Sequence, residues 1–128
     1  MSGNPYQQQA VTTANPAQLV LMLYDGVLTA IARARAAEPL GVEGLPVVNR
    51  ELQRAQDILT ELMVTLDRER GGTVAESLAR LYDFSLDRLI RANVSKDLSL
   101  LDPVVEVVRS LRDAWEAACC NPPVAATG

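Results

Sequence analysis

The chain has 128 residues, 48% hydrophobic, 22% charged and 4% aromatic, with a net charge of −4. That length suits one domain and is short for two, and the hydrophobic share supports a packed core rather than a disordered chain. The acidic balance disfavours nucleic acid and anionic membrane surfaces, no run of 18 uninterrupted apolar residues spans a bilayer, and the absence of histidine removes His-dependent triads and imidazole metal sites.

Residues 1–14 are mostly polar, with Tyr6 and Val11 the main exceptions. They lack the basic and apolar regions of a signal peptide, so the expectation is a mobile N-terminal arm on a cytoplasmic protein. A lone tyrosine in such an arm is a tolerated surface aromatic or an anchor whose ring is buried and whose hydroxyl stays wet.

The first helix is predicted to open at Asn15. Pro16 stands at the first helical position and Gln18 three residues after the cap, a pattern in which both side chains satisfy exposed backbone donors. Leu19, Leu23, Val27, Ile31 and Ala34 form its core stripe, flanked by Val20 and Ala30. Leu21, Tyr24, Leu28 and Ala32 make a second apolar strip displaced around the helix. Together the strips are wider than one bundle face requires. Either this helix is central and touches neighbours on more than one side, or the second strip is an exposed groove for a partner helix.

Pro39 and Gly41 end the pattern, and Glu38 to Pro46 reads as a loop. A second helix follows, with Val48, Leu52, Ala55, Leu59, Leu62, Met63 and Leu66 on one face, stopped at Gly71-Gly72. Asp67 and Glu69 read as solvated acids in its last turn. Thr73 and Glu76 then begin a third helix with the stripe Val74, Leu78, Leu81, Ser85, Leu89 and Ala92, widened by Tyr82 and Leu86, and Asn93 as its stop. The fourth helix starts near Ser99 or Asp102 and ends near Ala118, with Leu101, Val104, Val108, Leu111, Trp115 and Ala118 facing inward. Ile58, Val64, Phe84 and Ile90 lie off the main stripes and add to the apolar surface.

Long helices joined by short turns predict an all-α fold, an antiparallel up-down four-helix bundle at 15–118. The arm at 1–14 precedes it, and a flexible tail at 119–128 follows, rich in Pro and small residues. The adjacent cysteines Cys119 and Cys120 lack metal-site spacing and read as incidental thiols. No phosphate-binding loop and no nucleophile–base pair is legible, so the chain is expected to be no enzyme and to need no cofactor and no metal.

Several stretches carry a resemblance in combination: Tyr6-Gln7; Asn15 to Gly26, ending in Leu-Tyr-Asp-Gly; Ala55 to Leu62, beginning Ala-Gln-Asp-Ile; Gly71-Gly72 with Ala75; Leu81-Tyr82-Asp83; Arg91-Ala92-Asn93; and Leu111-Arg112-Asp113-Ala114-Trp115. In their order and spacing they make the sequence similar to the flagellin-specific export chaperones, the FliS family, over nearly all of 4–118. The 38–46 loop departs from the family's shorter charged turn. The resemblance implies a four-helix bundle that binds the C-terminal helical segment of flagellin in the cytoplasm. Such a chaperone prevents premature polymerisation and assists delivery to the flagellar export gate.

On that basis Leu21, Tyr24, Leu28, Ile58 and Leu62 are the expected groove residues, with Asp25, Gln56 and Asp57 giving polar registration and Tyr6 anchoring the arm over the groove. The partners expected are flagellin and an export-gate component, with a co-chaperone and a weak homodimer as further candidates, and without nucleic acid or membrane insertion. The alternatives are a self-assembling structural bundle, with the apolar strip as its interface, and an adaptor for other flagellar proteins.

Overall fold

Asn15 opens the first helix as its sequence predicts. The structure, a computed structural model, describes residues 15–120; the expected arm at 1–14 with Tyr6, and residues 121–128, lie outside the described residues. The Asn15 side chain accepts a hydrogen bond from the Gln18 backbone N–H at 2.8 Å, and the Gln18 side chain accepts one from the Asn15 N–H at 3.1 Å. Helix α1 then runs over Pro16–Ala37.

Glu38–Gly44, predicted as a loop, coils into 3-10 turns, with Gly41 at φ +63° taking the left-handed conformation that redirects the chain. Helix α2 spans Leu45–Val64, with Pro46 in its first turn, where no intrahelical N–H is lost.

The predicted stop at Gly71-Gly72 is corrected. Helix α2 ends at Val64, and Asp67 caps a new helix, α3 (Arg68–Ser95), by accepting from the Arg70 N–H at 3.1 Å. Asp67 is thus a helix starter rather than a solvated acid of a last turn. Gly72, at φ +55°, is non-helical and separates the first turn of α3 from the long helix that resumes at Thr73, where the sequence predicts a start.

Asn93 does not stop that helix. It ends two residues later at Ser95, and Lys96 beyond it adopts a left-handed conformation. The Lys96 ammonium donates to the Asn93 carbonyl, to Asn93 Oδ1 at 2.7 Å and to Asn49 Oδ1 of α2. The bond to the Asn93 backbone carbonyl and the two to asparagine side chains offset the strain of a left-handed lysine.

Leu98–Leu101 forms a 3-10 turn begun by Asp97, whose side chain accepts from the Ser99 N–H at 3.2 Å. Helix α4 covers Asp102–Trp115 with Pro103 in its first turn, and a π-helical turn, Glu116–Cys120, continues past the point where a tail was expected. Every regular element among the described residues is helical.

Two ion pairs give the relation of α1 to α4. Asp25 meets Arg112 at 2.7 Å and Arg35 meets Asp102 at 2.5 Å, so the two helices run in opposite directions. Gly26 and Ile58 touch across α1 and α2, each about as far from the 38–44 connection as the other, so these helices also run oppositely.

The core is mainly aliphatic, built from Val27, Ile31 and Ala34 of α1, Leu52, Ala55 and Leu59 of α2, Leu89 and Ala92 of α3, and Val104 and Val108 of α4. The predicted face of α2 points inward, and so does that of α4 up to Trp115, while Ala118, expected inside, is exposed in the π-helical turn; the faces of α1 and α3 are rotated in part. Leu19 is 39% exposed, while Tyr24 is 1% exposed and belongs to the core. In α3, Val74 is exposed and the inward residues are Ala75, Ala79 and Tyr82, small side chains beside one large one. The helical run Pro16–Val64 contains a window of mean hydropathy 1.3, long and apolar enough by composition to cross a membrane. Val27, Ile31, Leu52 and Leu59 of this run pack into the core, and a buried helix gives the same pattern.

Candidate functional site

The second apolar strip of α1 faces α4. Asp25 and Arg35 reach Arg112 and Asp102; Leu28 lies between them on the same helical edge, and Leu21 lies one turn before Asp25. Leu28 is half-buried and packed against the core, Leu21 is half-buried, and Ala32 is exposed. Trp115 closes the seam by donating from Nε1 to the Ala17 carbonyl at 2.7 Å. The extra apolar width is therefore explained in good part by a central α1 that packs on α2 with one edge and on α4 with the other.

Asp25 is ion-paired rather than free at a groove edge. Arg112 donates to it and also to Asp113 at 3.2 Å and Glu116 at 3.0 Å. The hydrogen bond to Asp25 first, then that to Asp113, holds the guanidinium above its ordinary pKa.

Two of the expected groove residues are inside. Leu62 is a core side chain. Tyr24 is buried with its hydroxyl 2.6 Å from that of Tyr82, its ring tilted against the Tyr82 ring at 6.4 Å and edge-on to Trp115 at 6.5 Å. Desolvation raises the pKa of both phenols, and the bond between them adds to the rise at Tyr24 and opposes it at Tyr82. Neither Tyr24 nor Leu62 presents a side chain to a partner here. Ser85, one turn beyond Tyr82, is also buried, and its hydroxyl has no hydrogen-bond partner among the described residues.

The other α2 residues divide between two edges. Ile58 is half-buried against α1, where a Cβ on Gly26 would stand 2.9 Å from Ile58 Cδ1. Gln56 lines a shallow groove of about 270 Å³ between α2 and α3, with Asn49, Gln53, Ile90, Asn93 and Val94. Asp57 is exposed and accepts from Gln53 Nε2 at 3.0 Å. The eight helix residues expected at the groove thus do not form one continuous surface.

Apolar surface is present elsewhere. Leu19 and Met22 are exposed on α1 one turn apart, Ile90 and Val94 one turn apart on α3, and Leu40 and Val42 in the 38–44 connection. Val42 lines an apolar cavity of about 310 Å³ together with Leu45, Val48 and Leu98. Met22 lies in the Asn15–Gly26 stretch, just before Leu-Tyr-Asp-Gly, but outside both strips assigned to α1, so its exposure was legible only as a leftover. The described residues hold no group of three or more His, Cys, Asp or Glu side chains able to bind a metal. Such an arrangement can hold an apolar helix by surface burial and hydrogen bonding.

The model of the family described as "Flagellar protein FliS" matches residues 2–122. The flagellar secretion chaperone FliS of Bacillus subtilis (strain 168) is 38% identical over 113 residues, covering 88% of this chain and 82% of that protein. The flagellar secretion chaperone FliSB of Pseudomonas aeruginosa is 37% identical, covering 87% of this chain and 90% of its own length. The flagellar secretion chaperone FliS of Salmonella typhimurium is 36% identical, covering 85% and 80%.

Proposed function

The chain belongs to the FliS family of flagellar proteins, and from that premise we propose that it is a cytoplasmic export chaperone for the C-terminal helical segment of flagellin. It keeps flagellin from polymerising before export and assists its delivery to the export gate. The observation that carries the reading is the similarity over most of the chain to proteins named as flagellar secretion chaperones.

The physical need supports it. A subunit end destined for helix packing exposes apolar stripes as a monomer, and an apolar chaperone surface substitutes for the absent neighbours. The scaffold in this reading is an antiparallel four-helix bundle, preceded by the arm at 1–14 with Tyr6 as its anchor over the binding surface. The arm's occupancy lowers the apparent affinity for flagellin in proportion to the open fraction. Among the expected contacts, Leu21, Leu28, Ile58, Gln56 and Asp57 retain accessible surface, and Met22 and Leu19 join them.

Size-exclusion chromatography with light scattering tests the reading. The chain and a peptide of the flagellin C-terminal segment are expected to co-elute as one discrete complex. A chain that assembles with itself and leaves the peptide unbound would instead identify a structural bundle.

A further inference from the structure

The α1–α2 and α3–α4 connections come together at one end of the molecule. Arg35, near the end of α1, pairs with Asp102 at the start of α4, and Lys96, just after α3, donates to Asn49 near the start of α2. The other end carries Ala17, whose carbonyl accepts from Trp115. From Ala17 to Glu38 the first helix rises about 31 Å at 1.5 Å per residue, so the connection end is remote from Asn15 and Trp115.

The apolar cavity of about 310 Å³ opens between these two connections, at the small end of the range for binding pockets. Val48 and Leu98, both buried, form its floor, and Val42 and Leu45 its exposed rim. Gly41 also lines it, and a Cβ there would meet nothing within 4 Å, so the space beside it is open. Lys96 lines another part and is held by its bonds to Asn93 and Asn49, which makes that wall preformed. Apolar surface continues past the cavity: Val42 is 81% exposed and Leu40, two residues earlier, 63%. That extent is more than a ligand filling the cavity would cover, and it suits a protein surface that inserts one side chain.

The polar surroundings select the charge of that partner. Glu38 and Leu98 line both the cavity and a polar hollow of about 410 Å³ that also takes in Arg35, Asp97, Ser99 and Asp102. Arg35 is neutralised by Asp102, and the Lys96 ammonium directs its donors to Asn93 and Asn49. Glu38 and Asp97 are in no ion pair among the described residues. We propose that this end docks a basic segment of a partner protein, with one apolar side chain seated on Val42, Leu45, Val48 and Leu98 and flanking lysines or arginines against Glu38 and Asp97. A second copy of this chain is a poor fit, since it brings the same carboxylates to the contact. Gly41, Val42 and Leu45 belong to the 38–46 segment, where the sequence departs from the FliS family's shorter turn, so the site is a feature of this chain. It lies outside the helix faces considered for flagellin and stands independently of the chaperone reading.

Methyl NMR of the full chain tests it, with a capped pentapeptide carrying one phenylalanine between two lysines as the probe. The peptide is expected to shift the Val42, Leu45 and Leu98 methyls saturably. Exchanging its lysines for glutamates, or its phenylalanine for alanine, should weaken binding about tenfold or more. Val42→Ser and Glu38→Lys should each weaken it about fivefold. Both positions are exposed, so melting temperatures should stay at the wild-type value. The Glu38→Lys chain should also bind the glutamate peptide better than the wild type does. Methyls that the lysine peptide leaves unmoved, or that both charged peptides move equally, would overturn the assignment. So would the same methyls shifting with chain concentration alone, which would make this face a contact between copies.

Discussion

The hydroxyls of Tyr24 and Tyr82 meet at 2.6 Å inside the core, joining α1 to α3 by a polar contact set among aliphatic side chains. One phenol donates to the other, and both side chains are buried.

Removing one hydroxyl should therefore cost more than removing both. Tyr24→Phe or Tyr82→Phe leaves a buried hydroxyl unpaired, with an expected loss of about 1–3 kcal/mol. The double variant replaces both partners with apolar groups of the same shape and should lie close to the wild type. Urea denaturation of the three variants reads this as a coupling energy.

The same pair makes stability sensitive to alkali. Burial raises both phenol pKa values in the folded chain, whereas unfolded tyrosines ionise near pH 10. Unfolding then releases protons above that pH. The contribution is complete below about pH 10 and lost as pH rises beyond it, by about 1.4 kcal/mol per pH unit for each phenol that stays neutral. The slope should shrink in the double phenylalanine variant when unfolding is followed from pH 9 to 11.

Much of the helix layout was legible, because caps and apolar spacing are local signals. Asn15 and Gln18 announce a start that the structure keeps bond for bond, and the stripe from Val48 to Leu62 is the inward face of α2. The break at Val64 was missed because two glycines drew the boundary to themselves, while Asp67 had an equally good capping residue's chemistry. Tyr24 was misplaced because its partner lies 58 residues away, and periodicity within one helix says nothing about a distant hydroxyl. For the same reason the wide apolar surface of α1 was undecided between a central helix and an open groove. Asp25 meeting Arg112, and Trp115 meeting the Ala17 carbonyl, are contacts between helices that no single-helix pattern encodes.

Gly26 and Ile58 should prove coupled. An alanine at 26 gains helix propensity of about 1 kcal/mol but brings its Cβ to 2.9 Å from Ile58 Cδ1, so the isoleucine tip has to rotate. Gly26→Ala alone should shift stability by less than about 1 kcal/mol. Made in an Ile58→Val background, which removes that methyl, the same substitution should stabilise. Thermal unfolding of the four chains measures the difference.

Leu28 and Met22 should separate folding from binding. Leu28 packs against the core, so Leu28→Asp buries a charge and should cost about 2 kcal/mol or more. Met22 is 52% exposed, and Met22→Asp should leave the unfolding midpoint within about 0.5 kcal/mol of wild type. Guanidinium titration followed by Trp115 fluorescence distinguishes the two, since Trp115 sits at the α1–α4 seam.

The central claim, that this chain holds flagellin out of the filament until export, is tested most directly by following flagellin polymerisation with light scattering. Stoichiometric chain added to monomeric flagellin should suppress filament growth, and flagellin lacking its C-terminal segment should not co-elute with the chain. Filament growth at an unchanged rate, with no complex formed, would contradict the account.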